Sequence, residues 1–175
     1  MPNRGVALVH GQLPYRSLQR LLAVVIALHN AEEGLTAGAY LPRVREYIER
    51  VPALRDAGLP PSLAQLYFAL VVVTLVPALL VGWATTGRES IAKREVVAVV
   101  AAALLWNVFV PHLSAMVVLR GYAPGGLTAL GVNLPFCLYF FRRSLREGML
   151  TRRQMTLALI LGFFLLVIAP LLLLL

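Results

Sequence analysis

Apolar runs of about twenty residues, separated by short arginine-rich stretches, are the feature that most constrains this chain. As an α-helix, a run of that length spans about 30 Å, which is the thickness of a hydrocarbon core. Hydrophobic residues make up 59% of the 175 residues and charged residues 14%. Typical globular domains have roughly 45–50% and 25%. The sequence therefore excludes a water-soluble enzyme and predicts an all-α, polytopic membrane helix bundle.

The runs predict about five transmembrane helices that form one domain over residues 18–175, after a polar N-terminal tail at 1–17. Residues 42–58 differ from the runs because apolar and charged side chains alternate there at helical spacing. This pattern predicts an amphipathic helix in the membrane interface, interrupted near Pro52. We interpret it as a connector, with a lid over a site as the alternative. The predicted spans cover about 18–40, 62–84, 96–118, 124–141 and 155–175.

The net charge of +8 would suggest nucleic acid as a partner of a soluble domain. Here the basic residues lie between apolar runs, so membrane topology explains them and we expect no nucleic-acid partner. Lysine and arginine are more frequent on the side of the N-terminus than on the other side. The positive-inside rule then predicts a cytoplasmic N-terminus and an extracytoplasmic C-terminus, in a plasma (inner) membrane of prokaryotic type. The lone Cys137 excludes an intrachain disulfide.

Two adjacent glutamates, Glu32 and Glu33, lie near the middle of the first apolar run. A charged side chain at that depth costs about 2.5–3.5 kcal/mol, so the sequence must contain groups that offset this cost. At about 100° per residue, His29 and both glutamates point into one narrow arc, and Thr36 extends the stripe. A histidine and a glutamate four residues apart can hold one divalent cation, with Glu32 as a bridging ligand or general base.

Span three supplies His112, at about the same distance from the cytoplasmic side as Glu33. We therefore expect the two helices to complete one site, and Pro111 to kink the second of them. Imidazole and carboxylate ligands fit zinc, iron or manganese, of which we expect zinc. The predicted metal ligands are His29, Glu32, Glu33 and His112, and the predicted catalytic residues are Glu32, Glu33 and His112. Polar side chains expected behind the ligands are Asn107, Thr36, Thr128 and Asn133.

Several features in a fixed order resemble the HXXEE family of small multi-pass membrane proteins. They are His29-x-x-Glu32-Glu33, then Asn107 and His112, then Tyr122-x-Pro124-Gly125 before Thr128. The resemblance covers about residues 18–141 and implies a membrane protein of uncharacterised activity whose His and Glu residues are suspected of binding metal. One departure is the five-residue step from Asn107 to His112, where an α-helix favours four. This step argues against Asn107 as a ligand.

Three functions compete on this evidence. The first is a metal-dependent, hydrolase-like enzyme that acts on a lipid-like or membrane-peptide substrate within the lipid bilayer. The second resembles intramembrane glutamic proteases, in which a glutamate activates water without metal and His112 stabilises the oxyanion. The third is a proton or cation carrier, for which a homo-oligomer could supply alternating access. A structural alternative assigns Glu32 and Glu33 to helix assembly alone.

Overall fold

The computed structural model describes residues 13–50, 52 and 62–174, with side chains up to residue 168. Five helices and, over these residues, no strand confirm the predicted all-α fold. Two of the helices contain a short π-helical turn. The helices are α1 (Tyr15–Glu49), α2 (Leu63–Ala84), α3 (Ile91–Val118), α4 (residues 126–146) and α5 (Arg152–Leu174).

Two helices, α2 and α3, are long and apolar enough to cross a membrane by length and composition. Within the most apolar stretch of each helix, 11% of the residues of α2 and 44% of those of α3 are buried inside the protein. Helix α1 does not meet the same criterion, because His29, Asn30 and the two glutamates interrupt its apolar sequence. Of the five predicted membrane spans, two are thus supported by the length and composition of the observed helices.

The predicted break between span one and the interfacial helix is not observed. Helix α1 continues through Pro42 to Glu49, so residues 42–49 extend it. Ala37 and Ile48 are both buried and lie about three turns apart, which shows that one buried face continues across the proline. Residues 51 and 53–58 of the predicted interfacial helix lie outside the described residues, as do residues 1–12 of the polar tail.

The apolar core lies at the end of the bundle where α1 begins and α4 ends. Phe140 of α4 is fully buried there, with its ring stacked 6.1 Å from that of Tyr15. The Tyr15 hydroxyl forms a buried hydrogen bond of 2.8 Å with Ser144 Oγ. The core continues along α1 as far as Ile26, and the polar residues of the candidate site begin at His29. The core therefore fixes α1 against α3 and α4 just before the site.

Helices α3 and α5 approach closely because small residues face each other. A Cβ atom on Gly162 would lie 2.6 Å from Ala102 Cβ and 2.6 Å from the Ala103 backbone nitrogen. Nearby, Trp106 Nε1 donates a hydrogen bond of 2.9 Å to the Leu159 carbonyl oxygen. No side chain fits at Gly162 while the helices keep this distance.

We expect Gly162→Ala to lower the free energy of unfolding by about 1–3 kcal/mol, because the added methyl group forces α5 away from α3. Thermal unfolding in detergent measures this effect. Gly82→Ala in α2 is the matched control, since nothing lies within 4 Å of its Cβ position. Alanine favours a helix over glycine, so the control should be neutral or slightly stabilised. Equal unfolding temperatures for the two variants would contradict the close packing of α3 and α5.

Candidate metal centre

A π-helical turn over Val108–Leu113 sets the geometry of the site within α3. In an α-helix, five residues would turn Asn107 about 140° away from His112. A π-helix bonds residue i to i+5, so this turn brings both side chains to one face. Asn107 Nδ2 lies 3.1 Å from His112 Nε2. The five-residue step that departs from α-helical spacing therefore places Asn107 beside the ligands, as expected from the sequence, although the π-helical turn that brings it there was not predicted.

Three of the four predicted ligands come together. One ligand atom each from His29, Glu33 and His112 lies within 4.8 Å of the others. The two imidazole rings meet edge to face, with centroids 4.5 Å apart. His29 is fully buried, His112 is 4% exposed, and the Glu33 side chain is 24% exposed. Glu33 Oε2 lies 3.9 Å from His112 Nε2. As predicted, α1 provides the i, i+4 pair and α3 provides the third group.

Hydrogen bonds fix both histidines with Nε2 available as an acceptor. His112 Nδ1 lies 2.8 Å from the Pro124 carbonyl oxygen, which can only accept, so Nδ1 carries the proton. His29 Nδ1 lies 2.9 Å from Thr128 Oγ1, whose own proton goes to Glu32. His29 therefore also donates from Nδ1. Both Nε2 atoms face the Asn107 amide, and His112 Nε2 also lies 3.9 Å from Glu33 Oε2. A neutral imidazole with its Nε2 lone pair unprotonated is the state that a metal-binding histidine requires.

Glu32 lies beside the cluster and is held by the beginning of α4. Its Oε2 accepts from Thr128 Oγ1 at 2.5 Å and from the Thr128 backbone nitrogen at 2.7 Å. Its Oε1 accepts from the Tyr122 hydroxyl at 2.5 Å and from the Leu127 backbone nitrogen at 3.2 Å. A carboxylate at a helix N-terminus is favoured by the unpaired N–H groups there. The structure does not bring Glu32 into the ligand group but connects it to His29 through Thr128.

Tyr122 belongs to the turn between α3 and α4. Partial burial and the hydrogen bond to the Glu32 carboxylate raise the pKa of its hydroxyl group, so the group stays protonated and donates. Thr36 donates its hydroxyl to the Glu32 carbonyl oxygen at 2.8 Å, within its own helix. Asn133 is fully buried, and neither atom of its amide has a partner among the described residues. Of Tyr122, Thr36 and Asn133, only Tyr122 has a side-chain hydrogen bond to a carboxylate of the Glu32–Glu33 pair among the described contacts.

Gly125 packs directly against both histidines. Its φ of +75° is the left-handed conformation that favours glycine. A Cβ atom there would lie 2.7 Å from His112 Cε1 and 2.9 Å from His29 Cε1. Nothing in the sequence indicated that the Tyr122-x-Pro124-Gly125 segment supports the imidazoles.

A cavity of about 200 Å³ opens beside the cluster. Glu33 and His112 form its polar part, and Tyr40 is the other lining residue that carries a polar side-chain atom. A larger cavity of about 300 Å³ lies between α3 and α5 and holds none of the cluster residues. The apolar wall of the smaller cavity is formed by Ala37, Leu41, Val44, Leu66, Pro111, Ala115, Leu119, Ala123 and Pro124.

The fold and the site define a class of all-α protein with a buried His/Glu cluster between two long helices. The chain belongs to the HXXEE family, described as proteins of unknown function with an HXXEE motif, whose model matches residues 20–140. It is 30% identical over 149 residues to the uncharacterized protein YrkK of Bacillus subtilis (strain 168). That alignment covers 84% of this chain and 87% of the relative. No solved structure matches the chain.

We expect Glu32→Gln to weaken metal affinity about 10–100-fold without changing the number of ions bound at saturation. Glutamine has one acceptor oxygen in place of two, so its NH2 group opposes one of the two donor pairs and weakens the hydrogen-bond chain from residue 32 through Thr128 to His29. A competition titration against a chromogenic chelator measures the affinity. Glu46→Gln on the exposed face of α1 is the control and should match the wild type. Complete loss of binding at saturating metal would instead make Glu32 a direct ligand.

Proposed function

We propose that this protein is an integral membrane hydrolase that holds one divalent cation through His29, Glu33 and His112. One observation carries the proposal, namely that two Nε2 lone pairs and a carboxylate converge within 4.8 Å. Two imidazoles and one carboxylate, with further room for a water molecule or substrate, form a donor set found in catalytic zinc sites and also suited to iron or manganese. Zinc is the first ion to test.

The location in a membrane is supported by the apolar surface as well as by the two candidate spans. Soluble monomers rarely expose contiguous apolar patches larger than a few hundred Å². Here long apolar side chains are exposed along most of α2 and α5, including Phe68, Leu79, Leu161 and Phe164. We propose that lipid covers these faces, that all five helices lie in the bilayer, and that the N-terminus is cytoplasmic.

The two glutamates have separate tasks in this proposal. Glu32 accepts four hydrogen bonds, so it orients His29 through Thr128. The Glu33 carboxylate accepts no hydrogen bond from the described residues and lines the cavity, so it is the carboxylate available to bind the ion or take a proton from water. A divalent cation at this position supplies Lewis-acid polarisation of a substrate oxygen and activates water for attack.

The cavity favours a lipid as the substrate. Nine of its lining residues are apolar, and its polar end is formed by Glu33 and His112. An acyl chain fits such a wall, and its ester group would then reach the cluster. A membrane peptide would bring backbone N–H and C=O groups that need partners, which the apolar wall does not offer. We therefore propose that an acyl chain of a membrane lipid occupies this cavity.

The test uses the purified chain in phosphatidylglycerol and phosphatidylethanolamine vesicles, stripped of metal and reloaded with zinc, manganese or iron(II). We expect fatty acid release that requires the metal and is lost in Glu33→Gln but kept in Glu46→Gln. Release without any metal would favour the glutamate hydrolase instead. If the protein binds metal but cleaves a membrane peptide and no lipid, the lipid substrate is wrong. If it neither binds metal nor hydrolyses either substrate, the proposed function fails.

A further inference from the structure

Asn107 occupies a central position in the cluster that the metal-ligand set of His29, Glu33 and His112 leaves unexplained. Its Nδ2 atom lies 2.8 Å from His29 Nε2 and 3.1 Å from His112 Nε2. A side-chain amide has two N–H donors, so Asn107 donates one to each histidine. The Asn107 amide therefore contacts the Nε2 atoms of both histidines.

A cation cannot bind while the amide keeps this orientation. Zinc binds histidine nitrogen at about 2.0–2.1 Å, so an ion shared by the two Nε2 atoms would lie beside Asn107 Nδ2. An amide N–H carries partial positive charge and offers no lone pair to a metal. The amide must turn away before an ion can enter.

Turning the amide about its Cβ–Cγ bond replaces the nitrogen with an oxygen acceptor at nearly the same place. The two ends of an asparagine amide have nearly the same size, so the exchange needs no movement of the backbone. The π-turn at Val108–Leu113 holds Asn107 toward His112, so the amide stays beside the ligands in both orientations. A carbonyl oxygen is a ligand that hard and borderline divalent cations accept.

We propose that Asn107 is a two-state ligand. In the metal-free protein its amide donors hold both Nε2 atoms, and after rotation its Oδ1 atom becomes the fourth protein ligand of the ion. The inference rests on the proposed metal site and adds one oxygen donor to it. Asn107 thereby keeps the buried imidazoles satisfied when the site is empty, and it tunes the site toward ions that favour oxygen.

The test compares Asn107→Asp with Asn107→Leu and measures Co²⁺ affinity and the visible absorption of the bound Co²⁺. Aspartate presents an oxygen in either orientation, whereas leucine has a similar size and presents none. We expect Asn107→Leu to bind Co²⁺ at least about 10-fold more weakly and to change the absorption spectrum. Asn107→Asp should bind at least as tightly as the wild type. Asn30→Leu is the control, because Asn30 follows His29 but donates to Thr74.

A second measurement separates ligation from support of the empty site. Without metal, aspartate faces two Nε2 lone pairs and offers no donor, so Asn107→Asp should unfold at a lower temperature than the wild type. Co²⁺ should then raise the unfolding temperature of Asn107→Asp more than that of the wild type. If Asn107→Asp and Asn107→Leu lose Co²⁺ affinity equally, Asn107 acts only as a hydrogen-bond donor and the inference is overturned. If the wild type itself binds no Co²⁺, the proposed metal site fails first.

Discussion

Glu33→Gln protein is expected to bind metal at least about 100-fold more weakly than the wild type, which exceeds the 10–100-fold effect of residues that only orient ligands. Glutamine removes the negative charge from a cluster whose other two ligands are neutral. It also replaces one oxygen of the carboxylate, whose Oε2 atom lies 3.9 Å from His112 Nε2, with an amide donor. Near-stoichiometric metal in the wild type and background metal in the variant would be the expected result of elemental analysis.

The control for Glu33→Gln is Glu46→Gln, which removes the same charge from the same helix. Glu46 is exposed and pairs with Arg50, far along α1 from the histidines. His112→Ala provides an independent check, since it removes the ligand contributed by α3. Metal retained in Glu33→Gln and in His112→Ala would contradict the proposed ligand set. Circular dichroism of each variant, taken before metal analysis, establishes that the loss is not due to unfolding.

Gly125→Ala is expected to reduce both stability and metal affinity, because this glycine meets two separate demands. A left-handed backbone costs a residue with a Cβ atom roughly 1–2 kcal/mol. The new methyl group would also lie 2.7 Å and 2.9 Å from the Cε1 atoms of His112 and His29. Both rings are buried and hydrogen-bonded, so they can give way only by moving their Nε2 atoms. We expect affinity to fall at least about 10-fold, as for other changes that misplace a ligand.

Gly148→Ala separates the two effects of the Gly125 substitution. Gly148 has a similar φ of +67°, but nothing lies within 4 Å of its Cβ position. The control should therefore lose about 1–2 kcal/mol of unfolding free energy and keep its metal affinity. Chemical unfolding in detergent and a chelator competition titration measure the two quantities. If Gly125→Ala binds metal as tightly as Gly148→Ala does, the turn does not support the imidazoles.

The sequence predicted the His/Glu arc because it depends only on helical geometry within one segment. His29 and Glu33 lie one turn apart, and any α-helix through them brings both to the same side. The depth argument then placed His112 at the same level, and the structure brings these three residues together. The all-α fold followed equally directly from the apolar runs.

Asn107 was expected behind the ligands, but the π-helical turn that brings it into contact with both histidines could not be predicted in the same way. An α-helix was the reasonable expectation for α3, and it turns Asn107 away from His112. A single π-helical turn reverses that result, since one additional residue per hydrogen bond changes which side chains share a face. The five-residue step across Pro111 was the only sign of it. The continuation of α1 through Pro42 was missed because the sequence pattern suggested a break that packing of Ala37 and Ile48 overrides.

The sequence by itself determined the helical class and the alignment of His29 with Glu33, because both arise from local periodicity. Only the tertiary structure decided that Glu32 and Glu33 have different surroundings. Adjacent carboxylates on one helix are equivalent until another element approaches, and here the first turn of α4 supplies its unpaired N–H groups to Glu32 alone. Glu33 is left facing His112, since a single helix N-terminus can reach only one side of α1.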